Sequence, residues 1–201
     1  MPVTVIEARQ LEKRHLILQA ARHCFIQHGF HSTGMAEVCQ AAGMSPGNLY
    51  RYFSSKSAII LAIVEETRKQ MMPIYEELQD HADPVEGIVK IILCCVEHLS
   101  DAGESRLWIE ILAEASRNKG IRQSCQSFDG QMQVILRKLI RRGIKSRQIS
   151  SKIDSEALLM WLVALVDDTI LRSATHSLSD ADWTPKTLTR RVRHLLHSRP
   201  A

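Results

Sequence analysis

Three times along the 201-residue chain, a side chain able to cap a helix is followed directly by proline: Ser45-Pro46, Asp83-Pro84 and Thr184-Pro185. A Ser, Thr or Asp oxygen accepts from the first free N–H groups of a helix. Proline suits the next position, because its missing N–H is not needed there and its φ is already helical. Each pair therefore marks a helix start. The apolar residues around these starts recur with helical period. In "RQLEKRHLILQAARHCFIQHG", Ile17, Ala20, Ala21, Cys24 and Phe25 fall on one stripe, and near the C-terminus Leu188, Val192, Leu195 and Leu196 do the same. Only 5% of residues are aromatic, while Leu, Ala, Gln, Arg and Glu are common, which favours helix over sheet. With 45% hydrophobic residues the chain can bury a real core. The expected fold is all-α, with about nine helices.

The first helix is expected to stop at Gly29, with Phe30 packing back on Phe25. Thr33 would cap a short second helix with Met35, Val38 and Ala42 inward, Gly43 would form the turn, and the third helix would begin at Ser45-Pro46. Two short helices joined by a glycine-bearing turn and braced by a longer one make a helix-turn-helix. A fourth helix, capped by Ser54 or Ser55, should end or kink at Pro73, and the domain junction is placed within it. A fifth runs from Asp83-Pro84 to about Ser100, where "DAGES" breaks it. The sixth covers 106–118, the seventh 121–147 with Gly130 and Gly143 as soft points, and the eighth 155–173. The ninth starts at Thr184, with Trp183 stapled onto Leu188. The implied division is 1–58 for the helix-turn-helix and 59–201 for the rest.

The formal net charge is +4, and its distribution is uneven: residues 1–60 hold six Lys/Arg against three acids, the remainder twenty against nineteen. A basic first third fits contact with a polyanion. The N-terminal residues do not read as a secretory signal. The longest apolar run, "ALLMWLVALV", is ten residues, short of the roughly 18–20 that a bilayer requires, so the expected location is cytoplasmic with no membrane partner. Five cysteines without C-x-x-C spacing read as reduced, mostly buried thiols, with a redox role for Cys94 or Cys95 as the alternative.

Residues 43–56, "GMSPGNLYRYFSSK", carry an unusual density of hydrogen-bonding side chains for a short amphipathic helix. Leu49 and Phe53, four apart, point inward; Asn48, Arg51, Tyr52 and Ser55 share the opposite face, flanked by Gly47 and Tyr50. Asn pairs with adenine and Arg with guanine in a major groove, and Tyr hydroxyls donate to phosphates. Gly47 permits close approach of the backbone, and Lys56 is placed for a further phosphate. The block "ILQAARHCFIQHGFHSTGMAEVCQAAGMSPGNLYRYFSSKSAII" resembles the DNA-binding domain of the TetR family of bacterial transcriptional regulators. The resemblance implies phosphate contacts from Thr33, Tyr50, Tyr52 and Lys56 and groove contacts from Ser45, Gly47 and Asn48. Pro46 and Arg51 sit where the family varies, and either can set operator preference.

The family usually joins its DNA reader to a helical domain that dimerises and binds a small effector. "RLWIEILAEASRNKGIR" and "IDSEALLMWLVALVDDTILRSA" are similar to the C-terminal domains of BetI-type members, although Asp167-Asp168 stands where those tend to have Asp-Gly, so their ligand is not carried over. Helix eight is apolar on every side from Ala157 to Val166, which predicts burial all round and a homodimer through helices eight and nine. Trp108, Ile111, Leu112, Phe128, Met132 and Trp161 are the candidate lining of an effector cavity, with Met71 and Met72 near the hinge. Glu110 and Glu114, one turn apart, can face a cation or simply water.

No constellation for catalysis, a metal or a cofactor is visible: His194 and His197 lie among Arg190, Arg191 and Arg193, which would repel a cation, and H-E-x-x-H, G-x-S-x-G and glycine-rich phosphate loops are absent. The expectation is a homodimeric repressor on a palindromic DNA operator, released by a small-molecule effector. The alternative is an effector-independent or activating DNA-binding protein of the same fold.

Overall fold

The computed structural model describes residues 5–99, 101–175 and 184–197. Among these the regular structure is entirely helical, in nine elements: α1 (Val5–His28), α2 (Met35–Ala41), α3 (Pro46–Tyr50), α4 (Lys56–Leu78), α5 (Pro84–His98), α6 (Ala102–Ala115), α7 (Lys119–Lys145), α8 (Ser155–Thr175) and α9 (Pro185–His197). The all-α expectation holds. The chain forms two compact units, the first from residues up to Thr67 together with Glu110–Cys125, the second from Arg68–Ile109 and the residues from Gln126 onward.

In the first unit, α1 packs on α2 and α2 on α3. The stop of α1 is as expected: Gly29 takes φ +77°, its N–H donates to Phe25 O at 2.9 Å, and the Phe25 and Phe30 rings meet edge to face at 5.4 Å. Thr33, however, does not cap α2; Gly34 holds that position. The Thr33 hydroxyl is instead drawn inward, within reach of the carbonyls of Gly29 (2.9 Å) and Cys24 (3.2 Å). Gly43 turns the chain at φ +64°. Beyond the single turn and a half of α3, the N–H groups of Tyr52 and Phe53 return to Leu49 O at 2.9 and 3.0 Å. Ser55 then caps α4, its hydroxyl oxygen accepting from Ala58 N–H at 3.2 Å.

The later segment of this unit grips the turn between α1 and α2. Glu110 Oε2 accepts from Phe30 N–H at 2.9 Å, Glu114 lies 3.7 Å from His31, and Asn118 donates to Ser57 at 3.4 Å. Glu110 and Glu114 are thus neither ligand-facing nor idle.

In the second unit α5 packs against α8 and α9, and these two against each other. The core gathers Tyr75, Ile88, Ile91, Ile92, Leu136, Leu139, Leu162 and Leu196 among others. Asp83 caps α5 through Val85 and Glu86 N–H, and Thr184 caps α9 through Thr187 N–H. Trp183, expected as a staple, lies outside the described residues. Two boundaries differ from expectation. Pro73 does not end α4: the helix runs on to Leu78, and Pro73 and Lys69 both lie on its exposed face, where water can replace the lost N–H, while the boundary between the two units falls within α4, after Thr67. As expected α5 stops just before "DAGES", at His98, but α6 begins at Ala102 and not at Arg106, because Asp101 Oδ1 accepts from Gly103 and Glu104 N–H at 2.8 and 3.0 Å. Helix α7 passes through Gly130 and Gly143 and ends at Lys145.

Gly143 is not a soft point. A Cβ there would lie 2.6 Å from Ile149 Cδ1 and 2.8 Å from Cγ1, and Ile149 is itself buried, whereas nothing lies within 4 Å of a Cβ at Gly130. Gly143→Ala is therefore expected to cost about 1–3 kcal/mol by overpacking. Gly130→Ala should stabilise by about 0.5–1 kcal/mol through backbone entropy. Urea denaturation of the two variants, run side by side, checks the opposite signs.

Candidate nucleic-acid interface

Helix α3 is held from one side only. Leu49 and Phe53 are buried, at 0% and 2% exposure, and the Arg14 guanidinium sits 4.5 Å above the Phe53 ring. On the outer side Ser45, Pro46, Gly47, Tyr50 and Arg51 are exposed, with Asn48 and Tyr52 half-buried beside them. Ser45 occupies the cap position of α3 but makes no side-chain cap bond; its carbonyl accepts from Asn48 and Leu49 N–H instead. Its hydroxyl is therefore not used in capping. Among the described residues, no hydrogen bond fixes the side chains of Asn48, Tyr50, Arg51 or Tyr52. The result is a contiguous surface of amide, phenol, guanidinium and hydroxyl groups around a short helix with its apolar residues turned away.

Two residues assigned to phosphate by resemblance are placed differently. Thr33 is 0% exposed and its hydroxyl is turned to backbone carbonyls, so it supports the turn and does not reach the surface. Lys56 is half-buried: its Nζ donates to Phe30 O at 2.6 Å and His31 O at 3.3 Å and lies 4.5 Å from the centre of the Phe30 ring. An ammonium has three donors, so one remains for an outside acceptor.

The candidate effector residues are divided between the two units. Trp108, Phe128 and Met132 are in the second unit, the two rings edge to face at 6.3 Å. Ile111 and Leu112 belong to the first unit, the former buried and the latter exposed. Trp161 is 64% exposed on the outer face of α8, so it lines no interior cavity of the single chain. It shares that face with Met160 and Leu171, while Leu158, Leu159, Leu162, Val166 and Ile170 point into the core. Burial of α8 on all sides is thus not achieved within one chain. An all-apolar stretch cannot tell a core face from a face awaiting a partner.

Sequence reasoning missed Tyr75 and its neighbours. The Tyr75 hydroxyl is 3.0 Å from Cys95 Sγ, which is 3.8 Å from Met132 Sδ. Burial pushes the Cys95 thiol up to about 12, and burial and then Glu97 raise that of Cys94, so neither holds thiolate near neutral pH and a redox role is disfavoured. Asp129 is pushed up to about 6, first by desolvation among the surrounding helices and then by Asp167. The folded chain keeps this proton where the unfolded chain, near 3.8, has released it. Stability from this group is therefore greatest below the unfolded value and falls as pH rises through the folded one. Asp129→Asn should remove that slope, as read by thermal melts across this range.

A helix-turn-helix with an exposed polar face, in one chain with a second helical unit, is the architecture of a DNA-binding transcription regulator. Residues 17–63 match the family of bacterial regulatory proteins described as tetR, and residues 85–199 match the C-terminal domain of BetI-type transcriptional repressors. The chain belongs to the TetR family, with a BetI-type C-terminal domain, and is not an enzyme. The HTH-type transcriptional regulator UidR of Escherichia coli K12 is 37% identical over 109 residues, 52% of this chain and 53% of UidR. The chain thus matches about half the length of that relative. The fatty acid metabolism regulator protein of Bacillus subtilis is 25% identical over 184 residues, covering 90% of this chain and 92% of its own. Among solved structures, Salmonella enterica GusR superposes with a TM-score of 0.73 at 29% identity, over 92% of this chain and 96% of GusR. Among the described residues no helix is long and apolar enough to cross a membrane.

Proposed function

We propose that the protein is a homodimeric repressor that binds a palindromic operator and is released by a small-molecule effector. The observation that carries this reading is the one-sided burial of α3, with Leu49 fully buried and Tyr50 52% exposed on adjacent positions. Residues 1–58 read DNA and 59–201 dimerise and bind effector. Two copies of α3 enter successive major grooves about one turn, roughly 34–36 Å, apart. Ser45, Gly47 and Asn48 approach the bases, Pro46 contributes only van der Waals contact, and Arg51 is positioned for guanine. Tyr50, Tyr52 and the remaining donor of Lys56 take phosphates. Dimerisation uses the outward face of α8 together with α9, whose Leu188, Val192 and Leu196 turn inward. The effector enters the second unit near Trp108, Phe128 and Met132. A coupling of about 1–3 kcal/mol suffices for a 5- to 150-fold change in operator affinity. A reader of chromosomal operators works in the cytoplasm.

The test is capture of genomic DNA fragments by the purified protein, with and without a small-molecule extract of the host. One enriched palindrome, lost when extract is added, supports the whole reading. Absence of enrichment removes the assignment of α3 as a sequence reader. At the residue level, Asn48→Ala should change the ranking of operator variants by about 1–3 kcal/mol at one base pair. Tyr50→Phe should weaken all sequences alike with little change in salt slope, since the lost contact is neutral. Gel-shift titrations against an operator-variant panel distinguish the two patterns.

A further inference from the structure

The end of α7 and its connection to α8 carry a basic feature outside the helix-turn-helix. Residues 137–152, "RKLIRRGIKSRQISSK", hold seven Lys or Arg and no acid. Three of the seven are occupied. Arg137 pairs with Glu156 at 3.0 Å, Lys138 with Asp80 at 2.8 Å, and Arg142 donates to the carbonyls of Gln79 and His81 at 2.7 and 2.8 Å. The other four, Arg141, Lys145, Arg147 and Lys152, are exposed and form no ion pair among the described residues.

The fold brings three of these four into one cleft. Lys145, Arg147 and Lys152 line it together with Ser150 and Ser151, and no carboxylate does. Asp154, the nearest acid in sequence, is engaged in capping α8 through Glu156 and Ala157 N–H. Ser150 Oγ accepts from Lys152 N–H at 3.3 Å, which leaves its hydrogen free to donate. Arg147 stands at the left-handed position after α7, φ +60°, while Gln148 and Ile149 N–H fold back to Gly143 O at 2.9 and 3.1 Å. Glycine is the favoured residue in that geometry, and a side chain is costly there. The field of a helix C-terminus accounts for a cation or two in the last turn. It does not account for three cations and two hydroxyls around one concavity.

We infer that this cleft binds a diphosphate group. Several acceptor oxygens and a multiple charge match three cations and two hydroxyl donors, where a single carboxylate would leave charge unbalanced. The lining comes from residues 144–152 alone, a span suited to a compact anion and not to a nucleic-acid backbone running along a ridge.

The experiment is calorimetric titration of the full, DNA-free protein with inorganic pyrophosphate and, in parallel, with ADP, each against sodium chloride of matched ionic strength. The expected result is one saturable site per chain. Lys152→Gln should weaken it about tenfold, the loss of one charge-assisted contact. Arg147→Gly should weaken it comparably while raising the melting temperature by about 2–4 °C, because backbone strain is relieved. Opposite movement of affinity and stability separates a lost ligand contact from a damaged fold. Tighter binding of ADP assigns the diphosphate to a nucleotide-like ester; equal binding assigns it to inorganic polyphosphate. Heats that do not saturate, or that neither variant alters, overturn the proposal. So does binding of duplex DNA through these residues without binding of pyrophosphate, which would make the cleft part of a polyanion surface.

Discussion

Trp161→Asp is expected to give a folded monomer that no longer holds its operator. On the single chain Met160, Trp161 and Leu171 are 73%, 64% and 55% exposed along one face of α8, and Asp168 and Arg172 pair beside them at 2.8 Å. Three large apolar side chains on one helix face, opposite a helix face that is fully committed to the core, are what a two-fold interface would cover. Tryptophan at the centre of such a contact typically contributes 2 kcal/mol or more. A symmetric dimer loses it twice, so the dissociation constant should rise by at least about 10³. Because the side chain already faces water in the monomer, the fold itself should be nearly untouched. Sedimentation across a concentration series, with circular dichroism as the control for folding, reads the effect directly. A dimer that persists at wild-type strength would move the interface elsewhere.

Leu49→Ala is expected to abolish operator binding by a different route. Five residues are too few for a helix that stands on its own. Its anchor is Leu49, at 0% exposure, with Phe53 one turn further on. Truncation to alanine removes the buried isopropyl end of the side chain and leaves a cavity, a loss of about 2–5 kcal/mol. The loss falls on the first unit, so hydrogen exchange at Tyr52 and Phe53, whose N–H groups return to Leu49 O, should accelerate ahead of amides in the second. Loss of DNA binding with unchanged exchange would mean that Leu49 acts other than as an anchor.

Local signals carried most of the fold. Ser55, Asp83 and Thr184 cap as their types suggest, Gly29 takes the left-handed stop, and Leu49 and Phe53 turn inward as their spacing requires. The misreadings share a cause, competition between two uses of one side chain. The segment "DAGES" reads as a break, and the structure also uses its Asp101 as the cap of the next helix. Thr33 had carbonyl acceptors nearby that outcompeted the cap role. Pro73 lies on a face where solvent can satisfy the backbone, which a rule for helix interiors does not consider. At the site, the outward amide, phenol and guanidinium groups of α3 were readable from residue type. The bond from Phe30 N–H to Glu110 was not, because 80 residues separate the partners and periodicity is blind to such pairs.

That bond also bears on how the protein is made. The unit containing α3 includes Glu110–Cys125, so its full set of contacts forms only after residue 125 has been synthesised. A nascent or prematurely terminated chain presents α1 to α3 without the carboxylate that holds Phe30 N–H. Under the proposed function, such a product is expected to compete poorly for the operator with the finished chain.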